Sequence, residues 1–170
     1  MAHPPKERTL IARRFLPRFS QVAFLAQMPH LDTEEAIAEM KGEPLTDEDR
    51  KELEERVLYA RKWLARYAPE QYRYELHEND IPEAVRSFSP EQKHALQEVL
   101  SHVRSREKLD GQTLHTRLHE IRQECGLDAK LFFSALYQSF LGKDSGPKAG
   151  WFLSVLDKKF LEKRLGEVSL

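Results

Sequence analysis

The stretch from Thr46 to Pro69 leaves this chain little choice of local structure. Thr46 followed three residues later by Asp49 has the pattern of a capping box. Leu53, Val57, Ala60, Leu64 and Tyr67 then recur at the helical period until Pro69. This predicts one long helix over about residues 47–68, and the same logic repeats along the sequence. A helix is expected in "FSQVAFLAQM" and another from Asp32 to Met40, between Pro29 and Gly42. Ser89, Pro90 and Gln92 open the next, whose buried stripe is Leu96, Val99, Leu100 and Val103. A helix over about 112–125 buries Leu114, Leu118, Ile121 and Cys125 and stops at Gly126. Asp128 caps one that runs to Leu141, with Phe132, Ala135, Leu136, Ser139 and Phe140 inward. Two short helices close the chain, at about 150–156 and 158–166, with Asp157 as the cap between them.

Strand alternation is absent, and seven glycines in 170 residues is few. The expected fold is therefore all-α: an irregular bundle of about seven or eight helices, in two subdomains of residues 1–88 and 89–170. Between them, "PEQYRYELHENDIPEAVRSF" carries three aromatic side chains and no clean period, so it reads as an irregular connection with a short turn of helix.

Net charge is −1, which by itself points to no polyanion, but its distribution is uneven. Five cations against one carboxylate precede Phe19, whereas residues 32–55 hold eleven carboxylates against three cations. Such polarity can steer a polyanion to one face and away from another; it also suits plain solvated helix faces. The single Cys125 excludes an internal disulfide and a cysteine zinc cluster. No run approaches the roughly 18–20 apolar residues of a membrane span, and the start of the sequence has no signal-peptide apolar region. A soluble, cytoplasmic protein is the expectation.

Catalytic patterns are missing. No GxSxG, P-loop or dinucleotide fingerprint occurs. His115 and His119 have the i, i+4 spacing of metal ligands, but "HEIRQ" lacks the second histidine of HExxH and no third ligand is near, so no metal site is expected. With Arg122 they form a polar row at i, i+4, i+7, beside Arg117, fit for phosphate contact or for plain solvation.

The junction around residue 145 is the strongest candidate site. Gly142 can end a helix in the left-handed conformation. Gly146-Pro147 and Gly150 would let backbone approach a ligand closely, and the N–H groups opening the following helix would face it. Tyr137 and Trp151 offer stacking faces, and Lys143 and Lys148 offer charge. Unpaired RNA bases are read by this combination. A helix–helix turn with Trp151 in the core is the structural alternative.

The same junction resembles a known family. Ala135-Leu136, Leu141-Gly142, Gly146-Pro147, the apolar Phe152 to Leu156 and Arg164-Leu165 are similar to the C-terminal anticodon-binding helical domain of class I aminoacyl-tRNA synthetases. The lysyl branch is the nearer one; the bacterial-type glutamyl enzymes share the ending. The likeness is specific over roughly residues 112–166 and looser over 1–88. It implies an all-α cage that grips the anticodon loop, with Tyr137, Gly146, Pro147, Lys148, Ala149 and Trp151 at the bases and His115, His119, Arg122, Lys143 and Arg164 on the RNA backbone. In the glutamyl branch an arginine stands where this chain has Tyr137, which favours stacking over hydrogen bonding and fits the lysyl branch. The implied partners are tRNA(Lys) and the catalytic domain of the same enzyme. The family's HIGH and KMSKS signatures, which surround ATP, do not occur here. ATP and a divalent metal would therefore belong to the catalytic domain, with no cofactor in this chain, which looks like an excised C-terminal portion or a free-standing relative. A helical protein-interaction module and a glutamyl-type domain are the competing readings.

Overall fold

The computed structural model describes residues 15–28 and 31–170. Among these are eight α-helices: α1 Phe19–Ala26, α2 Thr33–Lys41, α3 Asp47–Arg66, α4 Pro90–Arg104, α5 Gly111–Glu124, α6 Ala129–Leu141, α7 Ala149–Val155 and α8 Lys158–Val168. No strand occurs among the described residues. The fold is all-α.

Most helix starts follow the local chemistry of the sequence. Thr46 Oγ1 accepts from Asp49 N while Asp49 Oδ2 accepts from Thr46 N, closing the capping box on α3. Ser89 and Gln92 do the same for α4. Asp32, Asp110, Asp128 and Asp157 each cap one further helix with a side-chain oxygen. Gly42 and Gly142 end α2 and α6 in the left-handed region, at φ 82° and 63°. Asp49 also holds Lys41 Nζ at 2.6 Å. The Lys41 hydrogen bond, and then the cap bond from Thr46, keep its carboxyl below the ordinary range.

Two expectations at helix ends need correction. Tyr67 is not part of the α3 stripe: the helix stops at Arg66, and Tyr67 turns outward as its exposed C-cap. Cys125 is the C-cap of α5, only half-buried at the edge of the core.

One core draws on both sides of residue 88. Its aromatic centre is Phe24 of α1, which meets Tyr74 at 5.3 Å, Phe152 at 5.4 Å and Trp151 at 5.9 Å, each edge to face. The main helix pairs are α1 with α3, α4 with α8 and α5 with α7. Residues 69–88 run between them as extended chain with two 3-10 turns, Glu70–Tyr72 and Glu83–Ser87. This segment has no ladder of its own, so its polar backbone is satisfied from outside. Gln27 bonds Tyr72 O and Tyr74 N through its amide, and His77 N donates to Phe140 O at 2.9 Å.

Candidate nucleic-acid interface

The loop of residues 142–148 joins α6 to α7, and it is tied down at both ends. Asp144 accepts from Ser134 Oγ at 2.8 Å and from the Gln138 amide. The Tyr137 hydroxyl donates to Pro147 O. Lys143 Nζ reaches across to Glu70 O at 2.7 Å and lies 5.3 Å above the Tyr74 ring. The loop is thus held against the 69–74 segment as well as against its own helix.

Several residues expected to face a ligand are instead internal. Trp151 is only 7% exposed and packs against Phe24, and the little of it that remains open lines a pocket with Phe15, Leu16 and Gln112. Tyr137 is buried beside Phe152, and burial, with Tyr74 nearby, pushes its hydroxyl up to about 12. Arg164, 1% exposed, donates to Ser139 O and Asp80 O at 2.8 Å each and to Glu167 at 3.1 Å. It staples α8 to α6 and to the 76–81 segment rather than presenting a charge to a phosphate. Ala149 and Gly150 are buried at the start of α7.

The glycines at this junction make room for the chain itself. A Cβ on Gly150 would lie 2.4 Å from Gly111 O and 2.4 Å from His115 Cβ. One on Gly111 would lie 3.1 Å from Trp151 Cα. Together they bring α5 and α7 backbone to backbone. A Cβ on Gly146 would meet the Tyr137 ring at 2.8 Å. The opening N–H of α7 is covered too: Gly150 N lies 3.5 Å from His115 Nδ1. That helix has only seven residues.

The histidine row is also less open than its spacing suggests. His115 and His119 meet each other edge to face at 4.8 Å, and the Phe133 ring lies 6.3 Å from His115 and 5.0 Å from His119. Burial, then Lys148, then His119 hold His115 below the ordinary imidazole range, which favours its neutral form. Arg122 donates to Leu127 O at 3.1 Å and closes the end of α5. Arg117 is engaged by Glu120 and Glu124. Among the described residues, no three His, Cys, Asp or Glu side chains converge as a metal site.

An open concave site nevertheless lies on the outer side of the loop, walled in part by residues that spacing alone did not single out. Gly146, Pro147 and Lys148 form one side of a pocket of about 470 Å3. Phe19 and Phe24 of α1, Trp63 of α3, and Tyr72 and Tyr74 form the rest of its aromatic wall. Trp63 meets Phe19 and Tyr72 at 5.5 Å each. Phe19 and Tyr72 remain 38% and 41% exposed. Arg18 and Lys148 are its charged lining residues, and among the described residues no carboxylate lines it. Arg18 has no ion-pair partner among the described residues, and Lys148 donates only to Gln112 Oε1, at 3.0 Å.

The surroundings share that sign. The carboxylates of α3 stop at Glu55, and from Arg56 to Arg66 the helix holds four cations and no carboxylate. Trp63 stands on this basic half. The one sequence signal that could have found the pocket is this reversal of charge within a single helix, combined with exposed aromatics on both sides of Pro69.

Comparison with models of known protein families gives no match. Individual proteins do match. The lysine–tRNA ligase of Pyrococcus furiosus is 34% identical over 167 residues, covering 95% of this chain and 31% of that protein. The lysine–tRNA ligase of Archaeoglobus fulgidus is 33% identical over 150 residues, covering 86% of this chain and 29% of the relative. A lysine–tRNA ligase of Methanosarcina barkeri is 29% identical over 167 residues. The chain therefore spans about three-tenths of the length of the curated relatives it matches. Over 95% of its length the chain is thus related to part of a lysine–tRNA ligase.

Proposed function

We propose that this chain is the C-terminal, tRNA-gripping portion of a class I lysine–tRNA ligase, and that it recognises the anticodon loop of tRNA(Lys). The observation that carries the reading is the aromatic pocket beside Gly146–Lys148. It combines flat apolar rings and two cations, with no carboxylate among the described residues, which suits an unpaired nucleobase and its phosphate. Backbone phosphates flanking the loop would meet Arg18, Lys148, Lys143 and the basic half of α3. His115 and His119 lie on the neighbouring edge and would contribute hydrogen-bonding groups.

The aminoacylation step is outside this reading. ATP and a divalent metal would be held by the part of such an enzyme that carries the HIGH and KMSKS signatures, and this chain has neither.

The test is a titration of Trp63 fluorescence with anticodon stem-loops of tRNA(Lys) and tRNA(Glu) at low and moderate salt, with Trp63→Phe separating its signal from that of Trp151. Quenching by the lysine stem-loop, weakening steeply with salt, is expected. A response to the glutamate stem-loop alone would place the chain in the other branch. No binding of either RNA at low salt would overturn the reading. Salt-insensitive binding of a partner polypeptide in the same pocket would mark a protein-interaction module instead.

A further inference from the structure

Part of the aromatic wall is carried on extended chain that no neighbouring strand supports. Tyr72 and Tyr74 both line the pocket, and Arg73 between them turns away, its Nε donating to Ala68 O at 3.2 Å. Placing residues two apart on one side requires extended backbone. Arg73 has it, at φ −94° and ψ 121°, directly after the 3-10 turn Glu70–Tyr72. A single side chain holds it there. Gln27, the C-cap of α1, donates from Nε2 to Tyr72 O at 3.0 Å and accepts at Oε1 from Tyr74 N at 2.8 Å. These are the C=O and N–H on either side of Arg73, which an adjacent strand would otherwise satisfy. Nε2 also donates to Ala23 O at 3.1 Å, so the amide is anchored on its own helix as well. Turned over, it would set Nε2 against Tyr74 N, donor to donor, and lose all three bonds.

The two tyrosines depend on this bracket unequally. Tyr74 is half-buried, packs edge to face with Phe24 at 5.3 Å and lies 5.3 Å under Lys143 Nζ. Tyr72 is 41% exposed, and its ring leans on Trp63 at 5.5 Å. Gln27 itself is not among the residues that line the pocket. We infer that Gln27 is a positioning residue for RNA recognition: its amide holds Tyr72 beside Trp63 as a ready stacking face. This rests on the anticodon-loop reading and deepens it. A ring on an unsupported segment would have to be ordered when the RNA arrives, and holding it in place beforehand removes that cost from binding.

Gln27→Met keeps the length of the side chain and removes the amide. Gln27→Glu keeps the acceptor for Tyr74 N and removes both donors, and it is the second variant should the first not fold. Each is titrated with a tRNA(Lys) anticodon stem-loop beside the unaltered chain, well below its unfolding temperature. Binding should weaken about 10-fold, within the roughly 5- to 150-fold span of one stacking face. The slope against salt should stay as it was, because no phosphate contact is lost. In a Tyr72→Ala chain the same substitution should have no further effect on binding. The free protein should carry a signature too. Trp63 emission, taken as the difference from a Trp63→Phe chain, should shift to the red and be quenched more readily by acrylamide as Tyr72 leaves its side. Undiminished binding by a folded Gln27 variant, an equal loss in the Tyr72→Ala chain, or an unchanged Trp63 emission would overturn the inference while leaving anticodon-loop binding intact. Failure of the unaltered chain to bind the stem-loop would overturn both.

Discussion

Replacing Gly150 by alanine tests whether α5 and α7 are held backbone to backbone. In an exposed helix the change would be favourable by about 1 kcal/mol, because glycine is the poorer helix former. Here the added methyl carbon would stand 2.4 Å from Gly111 O, 2.4 Å from His115 Cβ and 2.5 Å from His115 N. Two of the three neighbours are backbone atoms, which cannot swing aside as the end of a side chain can. The two helices must separate, and overpacking of this kind costs about 3 kcal/mol at the upper end of its usual range. The net loss is then about 2 kcal/mol, or a fall in Tm of roughly 4–8 °C for a chain of this size. Gly166→Ala is the matched control. It also lies within a helix, α8, and its nearest neighbour would be Leu100 Cδ2 at 3.9 Å. It should stabilise by about 0.5–1 kcal/mol. Urea denaturation of the two variants and the unaltered chain under one set of conditions reads both signs. A Gly150→Ala chain as stable as the original would refute the close-packing argument.

Other consequences follow from the same contacts. Trp151→Ala should cost about 3–5 kcal/mol of stability, since it empties the space beside Phe24; an unchanged urea midpoint would contradict its place in the core. Arg164→Met should leave Ser139 O and Asp80 O without their buried donor and lower stability by about 2–4 kcal/mol, while the salt dependence of RNA binding stays as it was. His102 and His115 are both held below the ordinary 6.5, chiefly by burial and then by nearby cations. The unfolded chain therefore takes up protons first as pH falls. The stability these two groups contribute is complete above about pH 6.5 and is lost as pH falls through 6.5 toward their lowered values. Denaturation series between pH 7.5 and 5.5 should show this decline, reduced in a His102→Gln, His115→Gln chain.

The helices were legible because their signals are local. A capping side chain bonds an N–H two or three residues away, and a buried stripe repeats every turn, so Thr46, Ser89, Asp128 and Asp157 mark helix starts whatever lies elsewhere. The candidate site was legible only in part. Gly146, Pro147 and Lys148 do line a pocket, as their place at a helix–loop–helix junction suggested. Trp151 and Trp63 show the limit. Both are large aromatics within predicted helices, and residue type treats them alike. One is almost wholly buried on Phe24, and the other, half-buried, lines a pocket with Phe19 and Tyr72.

That difference belongs to tertiary structure. Residue type and spacing determined that this chain is helical, where the helices begin, and that its charge is polarised along α3. Packing decided which side chains remain available to a ligand. The backbone contact at Gly111 and Gly150 seats α7 on α5 and turns Trp151 inward. The reach of Lys143 to Glu70, and of Gln27 to Tyr72 and Tyr74, lays the 69–74 segment beside the loop. The pocket then arises from segments more than 120 residues apart in sequence, Arg18 to Lys148. No local pattern encodes their meeting, because each contact depends on the position of a helix that other contacts hold.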